Sequence, residues 1–461
     1  MGRVRTATNL IKKRFLASIR QRSSSWQGLR PILSNTIWLL ANNIIQIFTG
    51  ILVGTWVARY LGPEDRGYFN YATSFVALFI PLSILGLGGI LVRDLVREPE
   101  EKGELMGTGF VMQVVAYLLL LPIMIMAILI LKPTDVKAQL AIIIIAISNV
   151  ISVSRTFQFW FNSQLQSRYS VIALRTADFI AAVVKIVLIM MSASLYAFLL
   201  VSVLQNLLEL AGQAFYYLYS GERFQIWRFR MERAKSLLRD GWPLALALLA
   251  ITISLRIDSV MLGQMLDVSY VGIYGEAARL SQFWYFVPLA ISSSAYPALV
   301  RAHKELSLDQ QRRRDQKFFD SLTGVGYLIA LPATIVAPFL VKFLYGPEYA
   351  QTGNVLMVHI WALIFIGLGF GLRRWLVAED LTVFSLWTAI SGAIASIVFN
   401  LLLVPRFGMM GAAWTMVISS AISGYLICLF LPRLRPLFRQ LTIALLLPVR
   451  IPSILYNYFS G

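Results

Sequence analysis

The chain has 461 residues, of which 58% are hydrophobic and 14% are charged. Soluble domains are about half apolar and a quarter charged, so this composition predicts an integral membrane protein. One cysteine excludes a disulfide framework, two histidines exclude a histidine-based metal cluster, and the net charge of +18 is attributed to cationic cytoplasmic loops rather than to nucleic-acid binding.

Residues 1–31 are basic and rich in serine, and no apolar segment precedes Pro31. We therefore expect no cleavable signal peptide. Apolar residues recur at helical spacing between lysines and arginines in this tail, at Leu10, Ile11, Phe15, Leu16 and Ile19. This pattern predicts a basic amphipathic helix on the inner leaflet, and a disordered cytoplasmic tail is the alternative.

The rest of the chain alternates long apolar runs with short polar links. Because an α-helix needs about 20 residues to cross the hydrocarbon core, these runs predict about twelve transmembrane helices and an all-α membrane fold. The predicted spans are 32–59, 67–91, 106–131, 138–160, 170–191, 194–219, 241–266, 271–300, 318–345, 350–372, 381–404 and 409–431. Residues 441–459 contain prolines and an arginine, and we interpret them as interfacial.

Lysine and arginine are concentrated in alternate loops, with eight in 1–31 and six in each of 220–240 and 301–317. Positive charge stays in the cytoplasm, so both termini are expected there, in a multi-pass protein of the cell inner membrane. The predicted organisation is a basic tail (1–31), an N-terminal lobe of six spans (32–219), a basic cytoplasmic linker (220–240), a C-terminal lobe of six spans (241–431) and a final tail (432–461).

The two predicted lobes share a weak internal repeat. Two pairs of stretches recur, 51–72 with 261–277 and 171–177 with 383–389. In the first pair Gly54 aligns with Gly263 at an offset of 209 residues and Gly67 with Gly272 at 205, while the offset of the second pair is 212. A near-constant offset indicates a duplicated half, and duplicated membrane halves commonly enclose a binding site at their interface.

Ionisable residues at membrane depth are functional candidates, because burying a charge there is costly. Asp258 and Arg279 lie at similar distances from the turn between the seventh and eighth spans, which predicts a salt bridge. Arg256 points roughly 200° away from Asp258, so it is the better candidate for a cation that faces a cavity. Glu276 precedes Arg279 by three residues, and this pair is an alternative ion pair.

The fifth and sixth spans carry a second charged group. Asp178 and Glu209 are at equal depth, with Arg175 one turn from Asp178 and placed to bridge the two carboxylates. Two carboxylates at one depth are suited to proton- or sodium-coupled transport, and a packed structural cluster is the alternative. Lys185 has no evident partner in its own span.

The unpaired charges of the spans are therefore cationic, which favours an anionic substrate such as a phosphate or pyrophosphate head group. The chain has no Walker sequence, no Ser-His-Asp pattern and no metal-ligand spacing. We expect neither an enzyme nor a bound cofactor or metal.

Five stretches carry a resemblance to a known family: ARYLGPEDRGYFNYA (58–72), LGLGGILVRDLVRE (85–98), RIDSVMLGQMLDVSYVGIYGEAARL (256–280), FLYGPEYAQTGNVL (343–356) and FNLLLVPRFGMMGAAW (399–414). With them the chain resembles the Wzx-type polysaccharide flippases, the polysaccharide transporter family of the multidrug/oligosaccharidyl-lipid/polysaccharide (MOP) superfamily. The resemblance implies two pseudo-symmetric bundles of six helices that rock about a central cavity.

The resemblance also implies a substrate, a polyprenyl-(pyro)phosphate-linked oligosaccharide moved to the outer leaflet for surface polysaccharide synthesis. Its head group would pass through a cationic cavity while the lipid tail stays in the bilayer. The residues that match this role by type and depth are Arg256, Lys185, Arg175 and Arg279, with Arg59 and Arg93 near the mouths. The candidates for ion coupling are Asp178, Glu209 and Asp258. The implied partners are membrane lipids and a polysaccharide polymerase and glycosyltransferases, and the implied transporter is a monomer.

Two other functions are weighed against this one. A proton- or sodium-coupled multidrug antiporter has the same fold but needs a cavity dominated by unpaired carboxylates, and a membrane glycan polymerase or ligase needs a large external loop. We expect Arg256→Ala to abolish transport with normal expression. We expect Asp258→Ala to lower the protein level, because it would leave Arg279 without its partner.

Overall fold

The computed structural model describes residues 49–151 and 155–450, together with positions 38, 42 and 45. The predicted amphipathic helix of the tail 1–31 lies outside the described residues, as does the end of the predicted interfacial segment. The described part of the chain is almost entirely helical and contains no β-strand. The predicted all-α fold is confirmed.

The helices follow one another with short connections. They are α1 (49–77), α2 (Ile80–Ile84), α3 (Leu87–Arg97), α4 (Lys102–Leu131), α5 (Val136–Val150), α6 (Arg155–Ser163), α7 (Ser167–Met190), α8 (Leu195–Tyr219), α9 (Met231–Met265), α10 (Val268–Phe283), α11 (Phe286–Glu305), α12 (Leu308–Tyr345), α13 (Ala350–His359), α14 (Ala362–Ala378), α15 (Thr382–Ala421), α16 (Ile427–Phe430) and α17 (Arg435–Leu445). Half of the predicted linker 220–240 is thus the start of α9, and most of 301–317 belongs to α11 and α12.

Eight helical segments of the described chain are long and apolar enough to cross a membrane, and a pair bent by 44°, Pro347–His359 with Ala362–Ala378, makes a ninth. Two of the eight, Thr49–Arg97 and Thr382–Phe430, have 49 residues each, or about 74 Å of helix against a core of about 30 Å. Gly62 (φ 70°) and Gly408 (φ 58°) divide them, since only glycine adopts positive φ without strain. α7 is also long enough to cross, but its apolar stretch carries more charged residues than those of the other segments.

The repeated stretches meet each other in space. A Cβ atom on Gly67 would overlap the Val268 carbonyl, and one on Gly272 would overlap the Pro63 carbonyl. The two contacts are equivalent, because Gly67 aligns with Gly272 and Pro63 aligns with Val268 at the same offset of 205 residues. The two turns therefore pack on each other with approximate two-fold symmetry, as expected of a duplicated half. We call this end of the bundle, which carries Gly62 and Asp267, the turn end.

The hydrophobic core differs between the two ends of the bundle. At the turn end one cluster contains side chains from both halves, among them Tyr71, Phe75, Leu262, Ala277 and Tyr349. Towards the opposite end the halves have separate clusters, one around Leu91 and Phe161 and another around Phe319 and Leu372. The halves thus share one core at the turn end, whereas at the opposite end their cores are separate and the start of α9 packs on α2 and α3, as in the close contact of Gly86 with Gly241. The cavity lies between these two regions of contact.

Candidate functional site

A cavity of about 710 Å³ lies between the two halves, lined by residues of α1, α7, α8, α9 and α10. Its lining includes four cationic side chains, Arg66, Lys185, Arg256 and Arg279. The one carboxylate among the lining residues is that of Asp178. A cavity with this excess of positive charge is suited to an anionic ligand, and guanidinium groups bind phosphate oxygens in pairs.

The short connection between α9 and α10 places Arg256 and Arg279 on the same cavity. Asp267 begins α10, and its Oδ1 accepts a hydrogen bond of 2.8 Å from the Ser269 amide. Such a capping carboxylate stabilises the first turn of a helix. On the facing helix Gly54 leaves room for the Arg279 guanidinium, because a Cβ atom there would overlap Nη1. Gly54, which belongs to the repeated stretch, therefore allows the Arg279 side chain to reach the cavity.

Arg279 and Arg66 share one carboxylate, that of Glu276. Arg66 Nε lies 2.6 Å from Glu276 Oε1, and Arg279 Nη1 lies 3.5 Å from Glu276 Oε2. Arg66 and Glu276 are 3% and 0% exposed, whereas Arg279 is 31% exposed. The Arg66–Glu276 pair crosses from one half to the other and closes the turn-end side of the cavity.

The predicted salt bridge between Asp258 and Arg279 is wrong. Asp258 is buried and accepts hydrogen bonds from the Tyr274 hydroxyl (2.7 Å), the Asn400 amide (2.5 Å) and the Ser396 hydroxyl (3.2 Å). The two residues do lie on adjacent helices, but Asp258 is turned towards α15 rather than towards the cavity. Depth along a helix is given by residue number, whereas rotation about its axis is set by packing.

A second cavity, of about 690 Å³, is lined mostly by the N-terminal half and closed on one side by Leu244, Ala247 and Leu248 of α9. Gln205 Nε2 donates to Asp178 Oδ1 (2.7 Å) and to Glu209 Oε1 (3.3 Å), so the two carboxylates come together as their depth predicts. Arg175 forms its ion pair with Asp178. Arg155 also lines this cavity and was not singled out in the sequence. Asp178 and Gln205 line both cavities and therefore connect them.

Two predicted cations lie outside both cavities. Arg59 lines a separate hollow of about 360 Å³ with Trp56 and Ile189. Arg93 pairs with Asp94 (2.7 Å) and Asp240 (3.3 Å) at the opposite end of the bundle.

The sequence analysis missed Arg66, because Arg66 lies four residues after Gly62 and was assigned to the loop. The helix in fact resumes directly after Gly62, and this places Arg66 inside the span. Glu276 in the aligned stretch could have indicated Arg66, because a carboxylate within a span needs a cationic partner.

A model of the polysaccharide biosynthesis protein family matches residues 32–303, which is more than half of the chain. The chain belongs to this family. The resemblance found in the sequence is thereby confirmed.

A probable flippase, AglR of Haloferax volcanii, is 29% identical over 182 residues, covering 38% of this chain and 38% of that protein. The capsular polysaccharide biosynthesis protein CapF of Staphylococcus aureus is 22% identical over 185 residues, covering 39% of this chain and 46% of that protein. Each alignment thus spans less than half of the relative.

Solved structures of the MOP superfamily have the same fold. A multidrug resistance MATE family transporter in its inward-facing conformation matches with a TM-score of 0.71 and 14% identity, over 88% of this chain and 98% of that one. The lipid II flippase MurJ in an inward closed conformation matches with a TM-score of 0.65 and 14% identity, over 93% of this chain and 100% of that one. The predicted membrane transporter fold is confirmed.

Proposed function

We propose that this family member is a flippase that moves a lipid-linked oligosaccharide with a phosphate or pyrophosphate group across the cell inner membrane for surface polysaccharide synthesis. The observation that carries the proposal is the charge of the cavity between the halves, where four cations face one carboxylate. Arginine pairs bind phosphate oxygens well, and a cationic drug would be repelled. The names of the two relatives, a probable flippase and a capsule biosynthesis protein, support it.

The excess of positive charge at one end of the bundle supports a cavity that opens towards the cytoplasm. The end opposite the turns carries the basic segments 220–240 and 301–317, with six cations each. The positive-inside rule assigns that end to the cytoplasm and the turn end to the outside. The cavity, which is closed by the joined turns, is then accessible to a substrate made in the cytoplasm.

Transport in this proposal is a change of access rather than a chemical reaction. The glycan head group binds the cavity cations while the polyprenyl tail remains in the bilayer, and the halves then separate at the turn end. No bond in the substrate is made or broken, so the protein acts as a transporter and not as an enzyme. We also propose that it works as a monomer and passes its product to a polymerase, with glycosyltransferases supplying the substrate.

Ion coupling is assigned in this proposal to the second cavity. Asp178, Gln205 and Glu209 form a connected polar group there, and Asp178 also faces the substrate cavity. A proton or sodium ion bound at these carboxylates would change the charge that the substrate meets. Asp258, which is enclosed by three hydrogen-bond donors, is a second coupling candidate on the C-terminal half.

Reconstitution in proteoliposomes tests the function. The assay follows a polyprenyl-pyrophosphate oligosaccharide and, separately, a cationic dye, each with and without a proton gradient. We expect the glycolipid to move and the dye not to move. Arg256→Gln should abolish glycolipid movement, because Arg256 is exposed to the cavity. Arg239→Gln is the matched control on the same helix, since Arg239 is 82% exposed at the opposite end. Movement of the dye alone would contradict the proposal and indicate a drug antiporter.

A further inference from the structure

Glu276 is the feature of the cavity that the proposed function leaves unexplained. A carboxylate at this depth in the membrane is costly unless it is paired. It is fully buried, and it faces Arg66 of one half and Arg279 of the other. Both arginines also line the cavity in which an anionic head group would bind. The carboxylate and the substrate therefore need the same two cations.

The carboxylate is held unequally by its two partners. Oε1 accepts a close hydrogen bond of 2.6 Å from Arg66 Nε. Oε2 is buried and its contact with Arg279 is a looser 3.5 Å, while the Tyr345 hydroxyl lies beside the carboxylate. Arg279 is also the partner that the cavity exposes, at 31% against 3% for Arg66. An anion that enters the cavity therefore meets Arg279 first.

Breaking the Arg66–Glu276 pair would loosen the turn end. A buried ion pair strongly resists the loss of one partner, because the remaining charge is left uncompensated. A phosphate or pyrophosphate that takes over the guanidinium group supplies that compensation, and it carries more charge and more acceptor oxygens than one carboxylate. The exchange frees Glu276 from the opposite half. Among the described residues, the turn end then keeps uncharged contacts: the close packing near Gly67 and Gly272, the shared apolar cluster, and hydrogen bonds such as that from the Tyr349 hydroxyl to the Ala58 carbonyl.

We propose that Glu276 is an internal counter-anion that holds the turn end closed through Arg66, and that the anionic group of the substrate opens this end by displacing Glu276 from Arg279 and Arg66. This inference rests on the proposed function for the nature of the substrate. The latch itself rests on the ion pair alone. Substrate binding and opening of the outer side are thereby coupled. Only a bound anion compensates the arginine charges when the Arg66–Glu276 ion pair breaks.

The distance between the two turns tests the inference. Spin labels replace Glu64 and Tyr270, which are 67% and 39% exposed on the two turns, in a Cys428→Ser background. Pulsed electron paramagnetic resonance on the full chain in nanodiscs then gives the distance distribution, with and without inorganic pyrophosphate at constant ionic strength. Glu276→Gln removes the charge and keeps the shape of the side chain. Glu348→Gln is the control, an exposed carboxylate at the same end without an ion pair among the described residues.

In the absence of anion, we expect Glu276→Gln to raise the ratio of open to closed turn ends about tenfold over wild type. Pyrophosphate should shift wild type in the same direction and leave Glu276→Gln unchanged, and Glu348→Gln should behave as wild type. A wild-type distribution for Glu276→Gln would overturn the latch. Opening in Glu276→Gln with no effect of pyrophosphate on wild type would overturn the displacement step.

A second variant distinguishes loss of the latch from misfolding of the protein. Glu276→Asp keeps the charge but is one methylene too short to reach both arginines, so we expect it to open partly and to elute as wild type from a sizing column. If it is as closed as wild type, the shared carboxylate is not the latch. The glycolipid assay with wild type tests the proposed function separately. The turn end could open in Glu276→Gln and with pyrophosphate while the wild-type protein fails to move glycolipid. That result would support the latch and contradict the proposed flippase function.

Discussion

Asn70 and Gly275 occupy equivalent positions in the two repeated stretches, 205 residues apart, and they contact each other. A Cβ atom on Gly275 would overlap the Asn70 side-chain amide. Two equivalent positions meet only on a two-fold axis, so the pseudo-symmetry axis of the bundle passes between them. Arg66 and Glu276 lie directly beside this axis. The duplication therefore places this contact between the halves at the turn-end boundary of the cavity.

The first prediction concerns the glycines on either side of this axis. Gly67→Ala puts a methyl group into the Val268 carbonyl, which is backbone and cannot move aside as a side chain can. We expect the closed state to lose about 1–3 kcal/mol, as in other overpacked contacts. The melting temperature in detergent should fall, and the distance between the turns should increase.

The control for this prediction is Gly89→Ala, because nothing lies within 4 Å of a Cβ atom built on Gly89. It should melt as wild type or slightly higher, since alanine favours a helix over glycine. A Gly67→Ala protein with wild-type stability and wild-type turn distances would show that the turns are not close-packed.

The fold was largely predictable because hydrophobic length and the repeat are local properties of the sequence. The alignment of Gly67 with Gly272 indicated the duplicated halves before any contact was known. The partners of the charged residues were not predictable in the same way. A change of one residue turns a helical side chain by about 100°, and Pro243 lies within α9 between its first residue, Met231, and Asp258. The rotation of Asp258 towards Asn400 therefore had no local signal.

The cavity cations were predicted in part. Arg256, Lys185 and Arg279 share one cavity, while Arg175 lies in the other. Arg59, predicted near a mouth of the cavity, lines a separate hollow. Charge and depth alone do not show which way such a side chain faces.

The second prediction is that Asp258→Ala destabilises the protein, for a reason other than the loss of an Arg279 salt bridge. Asp258 accepts hydrogen bonds from the buried hydroxyls of Tyr274 and Ser396, which the substitution leaves without this acceptor, whereas Asn400 keeps its second hydrogen bond to the Ser396 carbonyl. Each such group costs about 1–3 kcal/mol. We expect a loss of roughly 3 kcal/mol, measured as a lower midpoint in denaturant, and a smaller loss for Asp258→Asn, which keeps one acceptor oxygen.

The matched control is Asp309→Ala on the exposed first turn of α12. It removes the same side chain from a solvated position and should change the midpoint little. If Asp258→Ala unfolds at the same denaturant concentration as this control, the hydrogen-bond group around Asp258 does not stabilise the bundle.

The third prediction concerns Arg233, which ties the linker to the N-terminal half. Its guanidinium contacts three carboxylates, those of Glu98 (2.7 Å), Glu101 and Glu104 (3.2 Å). Because the group is partly exposed, we expect Arg233→Ala to cost about 1 kcal/mol at most. Hydrogen exchange in the segment 223–231 should become faster, while the cavity helices should be unchanged. Lys235→Ala, an exposed cation on the same helix, should leave the exchange rates as in wild type, and equal rates for both variants would argue against the tie.

The fourth prediction follows from Asp267, which lies between α9 and α10 outside the spans. The Ser269 amide donates a hydrogen bond to the carboxylate and holds the pKa of Asp267 below its usual range. A lowered pKa in the folded state means that the ionised cap stabilises the protein above the ordinary aspartate pKa of about 3.9, and that this stabilisation is lost as the pH falls through the folded value. Asp267→Ala should cost about 1 kcal/mol at neutral pH. Asp267→Asn keeps an acceptor oxygen, so it should retain most of the stability but lose the pH dependence. Melting curves of the three proteins between neutral and acidic pH decide the matter, and parallel pH profiles for wild type and Asp267→Asn would show that the cap does not depend on the charge.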